Sequence, residues 1–343
     1  MLAVVALGLA APLAYAGLRL DETARETPPP RRAAHVQRPH RPTRPPRPPQ
    51  FVVVSFDGAG GTELWPYWRR VAREAHAHFT FFLSGVYLLD WTHHDLYAPP
   101  RHERGRSDIG FAAAPDVVAG TVAQLAAAYA EGHEIGTHYN GHFCGPYAGS
   151  VGDWNAADWR RELDEFAALV FSTHAGALPF WPRDIVGSRT PCLEGDFRVL
   201  YPVLAERGFR YDASQVAPLG RWPWREHGIW SVPLLEIPFA GHTFRVVSMD
   251  YNFFANQSGI DAAEAERETY LSLRRAFRTV YRGNRAPFSI GSHFETWNGW
   301  AYNRALERFL LETCRLPDVR CVSLGELVDW LDLTLARRAL YPH

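Results

Sequence analysis

His138 and His142, four residues apart in Thr137-His138-Tyr139-Asn140-Gly141-His142, are the side chains best spaced for chemistry. On a helical turn that spacing sets both imidazoles on one face, where they can share a metal ion. The upstream His133-Glu134 pair does not extend this to H-E-x-x-H, because the next histidine comes five positions after His133. Asp57 ends an apolar run and precedes Gly58-Ala59-Gly60-Gly61. A carboxylate followed by glycines suits a general base that a ligand approaches closely, or an Asp that caps the next helix. Gly187-Ser188-Arg189-Thr190-Pro191-Cys192 offers a guanidinium able to hold a neighbouring carboxylate ionised. The backbone N–H of Cys192 could then face a developing oxyanion, the alternative being a plain surface turn. Farther on, Asp250 stands in Ser248-Met249-Asp250-Tyr251, and His293 closes Ser289-Ile290-Gly291-Ser292-His293.

Such dispersed residues need a scaffold that gathers them. Residues 51–56, Phe-Val-Val-Val-Ser-Phe, lack polar alternation, as expected of a strand covered on both faces. Helical spacing over 62–77 leads into a strand-like run at 78–84. Helices over 116–131, 157–172 and 197–207 each precede a short strand, at 132–137, 184–187 and 209–212. Near the end, 262–281 reads as helix, 287–292 as strand, 302–314 as helix and 319–322 as a last strand. Repeated strand-helix units of this kind predict an α/β fold, either a parallel barrel of TIM type or a doubly wound sheet. Both put their chemistry at the C-terminal ends of strands, where Asp57, residues 137–142, residues 188–190, Asp250 and His293 all fall. Residues 90–110 have no clear period and predict a lid or rim, with His93 and His94 solvated.

Bulk composition removes several classes of function. The chain has 343 residues, 47% of them hydrophobic, and the even spread of apolar runs favours one large domain over 51–343. None of its 36 basic residues is lysine, which excludes Schiff-base chemistry and the P-loop lysine. Beyond residue 50, 28 basic residues face 34 acidic ones, a net charge of -6 and a poor match to nucleic acid. Residues 1–16, apolar and ending Ala14-Tyr15-Ala16, predict a signal peptide or N-terminal anchor, although no Arg precedes the apolar run. Residues 17–50 predict a disordered Pro/Arg-rich linker, a solvated spacer that could also touch wall polymers or lipid headgroups weakly. Four cysteines without C-x-x-C suit an oxidising compartment, hence a secreted or cell-envelope location. Of the three pairings, Cys144 with Cys192 and Cys314 with Cys321 are favoured, because each pair falls in segments placed side by side; buried free thiols are the alternative.

The order Ser55-Phe56-Asp57, then Thr137-His138 with His142, then Arg189-Thr190-Pro191, then a late strand ending in His293 resembles the polysaccharide deacetylase signature. That family is the NodB homology group, carbohydrate esterase family 4, and the resemblance covers residues 51–335. It implies a distorted, incomplete (β/α) barrel, a divalent metal that is often zinc, and hydrolysis of acetamido groups on chitin-like or peptidoglycan glycans. By the same resemblance Asp57 corresponds to the catalytic base, His138 and His142 to two of three metal ligands, and Arg189 to the arginine that braces the base. His293 corresponds to the general acid, and Asp250 to the acidic residue that tunes it. Two departures stand out. The family carries a second Asp, the third ligand, where this chain has Gly58, and an aromatic residue where it has Cys192.

The implied reaction has a metal at His138 and His142 polarising an acetyl carbonyl, Asp57 taking a proton from water, and His293 protonating the leaving amine. Trp297 and Trp300, just past His293, are candidates to stack on sugar rings, with buried packing as the alternative in a chain of 12 Trp. Two other readings remain: a degenerate barrel that binds acetylated glycan without turnover, and a hydrolase of another non-peptide amide. A glycosidase fits less well, since no second carboxylate is clearly placed against Asp57.

Overall fold

In the computed structural model of the protein, residues 47–174 and 176–340 are described, with side chains described as far as 335. The residues read above as a signal or anchor segment, and most of those read as a linker, therefore lie outside the described residues. Gln50, read above as the last linker residue, instead opens the first strand, β1 (Gln50–Gly58), and donates from Nε2 to the carbonyl of Ala286.

The apolar run of β1 is flanked by β2 (Thr80–Leu83), β3 (Glu134–Thr137), β4 (Gly187–Ser188) and β5 (Tyr211–Asp212), each parallel to the last. A second, three-stranded sheet contains β6 (Val216–Pro218). β7 (Trp224–Glu226) and β8 (Ile229–Ser231) form a hairpin, and β8 extends the main sheet beside β5. Its turn, His227-Gly228, has positive φ at both residues (48° and 84°), the geometry that matches strand twist. β9 (Leu234–Pro238) and β10 (Arg245–Val247) complete the small sheet, while β11 (Phe288–His293) pairs with the other edge of β1. β12 (Val319–Cys321) pairs with the N-terminal end of β1. The result is an open, curled half-barrel of parallel strands, the incomplete α/β barrel that the resemblance implies.

Helices α1 (Leu64–Ala75), α2 (Pro115–Ala130), α3 (Ala156–Ala167) and α4 (Phe197–Glu206) follow the early strands as the periodicity predicts. After them come α5 (Asp250–Ala255), α6 (Ala262–Arg282), α7 (Trp297–Thr313) and α8 (Leu324–Leu340). No helix among the described residues is long and apolar enough to cross a membrane. The alternation of side chains along β1 divides the core. Val52, Val54 and Phe56 pack outward with Trp65 and Trp68 of α1 and Phe309 of α7. Phe51 and Val53 point into the barrel, where Leu324, Leu327, Val328 and Leu331 of α8 plug its lower end.

Several expectations change. The strand read at 184–187 is a 3-10 turn (Pro182–Asp184) followed by the two-residue β4. The helix ending at 172 closes with a π-helical turn, Ala168–Ser172. Of lid and rim, residues 90–110 form a packed rim: Tyr97 is buried with its hydroxyl on Glu162, the Ala98 N–H donates to Glu165, and Ile109 lines the cavity at the barrel mouth. His93 is exposed at its edge, against Asp90, and His94 is half-buried there. Both favoured disulfides form, with Cα–Cα distances of 6.0 Å for Cys144–Cys192 and 5.7 Å for Cys314–Cys321.

Candidate functional site

Phe51, Val53, Ser55 and Asp57 form one inward column of β1, apolar at the bottom and polar at the mouth. Asp57 is 5% exposed, and burying a lone charge there would be costly. Arg189, just past β4, answers it. Its Nη1 donates to Asp57 Oδ1 at 2.8 Å and to Ser55 Oγ at 2.7 Å, and its Nε donates to the Ala213 carbonyl at 2.9 Å. The guanidinium also lies over the Phe82 ring, 4.8 Å from its centroid. Arg189 is therefore an internal brace rather than part of a surface turn. Burial pushes Asp57 upward, but Arg189 and His293 outweigh it and hold the carboxyl below its usual range.

The histidine pair does not sit on a helical turn. Tyr139 and His142 adopt positive φ (59° and 58°), so residues 138–142 form a coiled loop after β3. The loop still brings the two rings together, with centroids 5.1 Å apart. His138 is 2% exposed, and its Nδ1 lies 2.8 Å from the Arg189 carbonyl. A carbonyl only accepts, so Nδ1 carries the proton and Nε2 keeps its lone pair. His142 turns Nδ1 toward Cys144 Sγ at 3.7 Å. Burial pushes both imidazoles down, His138 to about 3, and keeps them neutral, the state a metal requires.

Glu162 of α3 secures this loop from below. Its Oε1 accepts the Asn140 N–H at 3.0 Å, and both carboxyl oxygens face the Tyr97 hydroxyl, which accepts the Gly141 N–H at 3.1 Å. Among the described residues, only His142, Cys144 and Cys192 gather ligand atoms within 4.8 Å of one another, and both sulfurs are committed to a disulfide. Asp57 and the two imidazoles thus share a wider mouth rather than a closed cage.

On the opposite wall, β1 and β11 run in register with Asp57 beside His293. Asp250, the first residue of α5, accepts from His293 Nδ1 at 2.7 Å through Oδ1. Its Oδ2 accepts the His293 N–H at 2.7 Å and the Ser292 hydroxyl at 3.0 Å. Burial opposes charge on His293, yet Asp250 wins and pushes the ring up to about 9. Asp57, His138, His142, Tyr251 and His293 line both of two adjoining lobes, of about 410 and 390 Å³.

Cys192 lines one lobe, at φ 51°, and Trp297 lines the other, its ring 5.4 Å from His293 and stacked on Phe254 at 5.1 Å. Trp300 lines neither lobe; its ring lies against Tyr67 at 5.3 Å. Ser84, Tyr87 and Tyr251 also reach the cavity without having been singled out from the sequence. Ser84 ends the 78–84 run, so the strand-end rule could have found it; Tyr87, in a 3-10 turn, carries no periodic signal. Burial and Glu295 push the Tyr87 phenol up to about 12.

No family model matches the sequence, and comparison with curated proteins finds no match either. Among solved structures, a protein of Mycobacterium smegmatis assigned as a polysaccharide deacetylase aligns with TM-score 0.51 at 17% identity, over 85% of this chain and 93% of its own. A chitin deacetylase from Colletotrichum lindemuthianum aligns with TM-score 0.44 at 14% identity, over 81% and 87%. A CE4 family pseudoenzyme from Bacillus anthracis does so with TM-score 0.44 at 11% identity, over 82% and 66%. The open half-barrel and the alignment over 85% of the chain agree: this chain has the fold of the polysaccharide deacetylases.

Proposed function

We propose that the chain is an exported, metal-assisted hydrolase that removes N- or O-acetyl groups from a cell-wall or extracellular polysaccharide. The observation that carries this reading is that Asp57, braced by Arg189, and His293, bonded to Asp250, are register partners on neighbouring strands and line one cavity. A carboxylate kept ionised and an imidazole kept charged at neutral pH are a base and an acid ready to act in turn. The donor set suits a divalent ion, zinc in this reading: two neutral imidazoles with Nε2 of His138 free, beside a buried hydroxyl of Ser84 that has no partner. Such an ion supplies Lewis acidity toward an acetyl carbonyl and lowers the pKa of a water. Asp57 takes the proton of the attacking water, and Arg189 holds its Oδ1 so that the other oxygen faces the cavity. His293 gives its Nε2 proton to the leaving nitrogen or oxygen while its Nδ1–H stays bonded to Asp250 Oδ1. Cys192 presents its backbone N–H to the oxyanion, and Trp297 offers a ring face to the sugar.

The two disulfides support export to an oxidising compartment. One feature favours the second reading, glycan binding without turnover: Gly58 supplies no carboxylate, and its φ of +87° disfavours one. Acetate release from N-acetylglucosamine oligomers and muropeptides separates the two. Turnover that Asp57→Asn lowers by at least about 100-fold supports the hydrolase. Oligosaccharide binding with no acetate from the wild-type chain supports the binder.

A further inference from the structure

The absent carboxylate at position 58 leaves one side of the two-imidazole site without a protein ligand, and the neighbouring strand offers an oxygen there. Gly58 pairs with Leu83, and Leu83 pairs with Thr137, so the residue after Leu83 stands between the ends of β1 and β3. That residue is Ser84. Its N–H donates to the Gly58 carbonyl at 2.9 Å, and the His138 N–H donates to the Leu83 carbonyl at 2.8 Å. These bonds fix Ser84 between position 58 and His138. Its side chain is 0% exposed, its Oγ has no hydrogen-bond partner, and it lines the cavity with Asp57, His138 and His142.

A buried hydroxyl without a partner is costly, and it points to an occupant that supplies the missing contact. Restoring a carboxylate on β1 is disfavoured by the backbone, since Gly58 has φ +87°. A Cβ at Gly58 would lie 3.4 Å from Tyr87 Cε2 and 4.0 Å from its hydroxyl, in a backbone conformation that side chains rarely adopt.

We infer that Ser84 Oγ is the third protein donor of the metal site, so that the ligand set is two imidazoles and a neutral hydroxyl brought by β2. The inference rests on the metal-hydrolase reading above. A neutral oxygen leaves one negative charge fewer on the ion than a carboxylate would. The site therefore binds its ion more weakly and leaves the ion more electrophilic.

The test is competition of Zn²⁺ between the full chain and a chromophoric chelator, for the wild type, His138→Ala and Ser84→Ala. We expect His138→Ala to abolish stoichiometric binding and Ser84→Ala to weaken it by at least about tenfold. The Ser84→Ala melting temperature without metal should stay level or rise, since the change deletes an unsatisfied hydroxyl. If Ser84 only holds a buried water, the same rise accompanies unchanged Zn²⁺ affinity, and the inference falls while the hydrolase reading stands. If the wild type binds no Zn²⁺, both fall. A second variant reads ligation directly. Ser84→Cys loaded with Co²⁺ gains intense near-ultraviolet thiolate-to-metal absorption if position 84 ligates, and lacks it if position 84 does not.

Discussion

At the scale of single residues, His293 and Asp250 make the sharpest claim. His293 titrates at about 9 because Asp250 outweighs the cost of burying its charge. The acid form is therefore present below that value and lost as pH rises through it. Asp57, held low by Arg189 and His293, stays ionised until the medium is well into the acid range. Activity should accordingly show an alkaline limb near 9, and Asp250→Asn should draw that limb down toward the ordinary histidine value of about 6.5. Initial rates of acetate release across pH measure it; an unmoved limb would mean that Asp250 does not tune His293. The residues of this constellation were legible because strand ends collect chemistry, and Asp57, Arg189 and His293 each fall at the close of a strand-like segment. Trp300 was not, since a kink with positive φ at residues 298–300 sets its ring against Tyr67, and no periodicity foretells such a kink.

At the scale of elements, the loop after β3 shows where spacing misleads. Residues four apart face the same way on a helix, yet His138 and His142 converge by a coil with two left-handed residues. What replaces the helix's internal hydrogen bonds is Glu162, which sits on α3 far away in sequence and bears no motif. Burial pushes its carboxyl up to about 7, so the folded chain binds that proton more tightly than the unfolded chain does. Its favourable contribution is present below the unfolded value of about 4.3 and is lost as pH climbs through about 7. Glu162→Gln imitates the protonated form. Relative to the wild type, it should therefore gain about 1–3 kcal/mol in urea unfolding at pH 8 and little at pH 5. An equal effect at both pH values would show that Glu162 does not titrate between them.

At the scale of the whole molecule, the two ends of the half-barrel have separate duties. The upper end holds the cavity, and α8 plugs the lower end with Leu324, Leu327, Val328 and Leu331. Leu327 is 0% exposed, so Leu327→Ala should cost about 2–5 kcal/mol in denaturant unfolding while leaving kcat within about twofold. A large loss of kcat in the folded variant would contradict this separation. The parallel strand-helix units gave the fold class away in sequence, whereas β6 to β10 did not show. Those strands hold three to five residues each, too few for a period to register.

The most direct measurement of the central claim is acetate released from N-acetylglucosamine oligomers by the wild-type chain and by His138→Ala, at matched free Zn²⁺. The wild type should release acetate in proportion to bound metal, and the variant should lose at least about 100-fold of that rate. Equal release by the two proteins would contradict the assignment of His138 and His142 as the catalytic metal site.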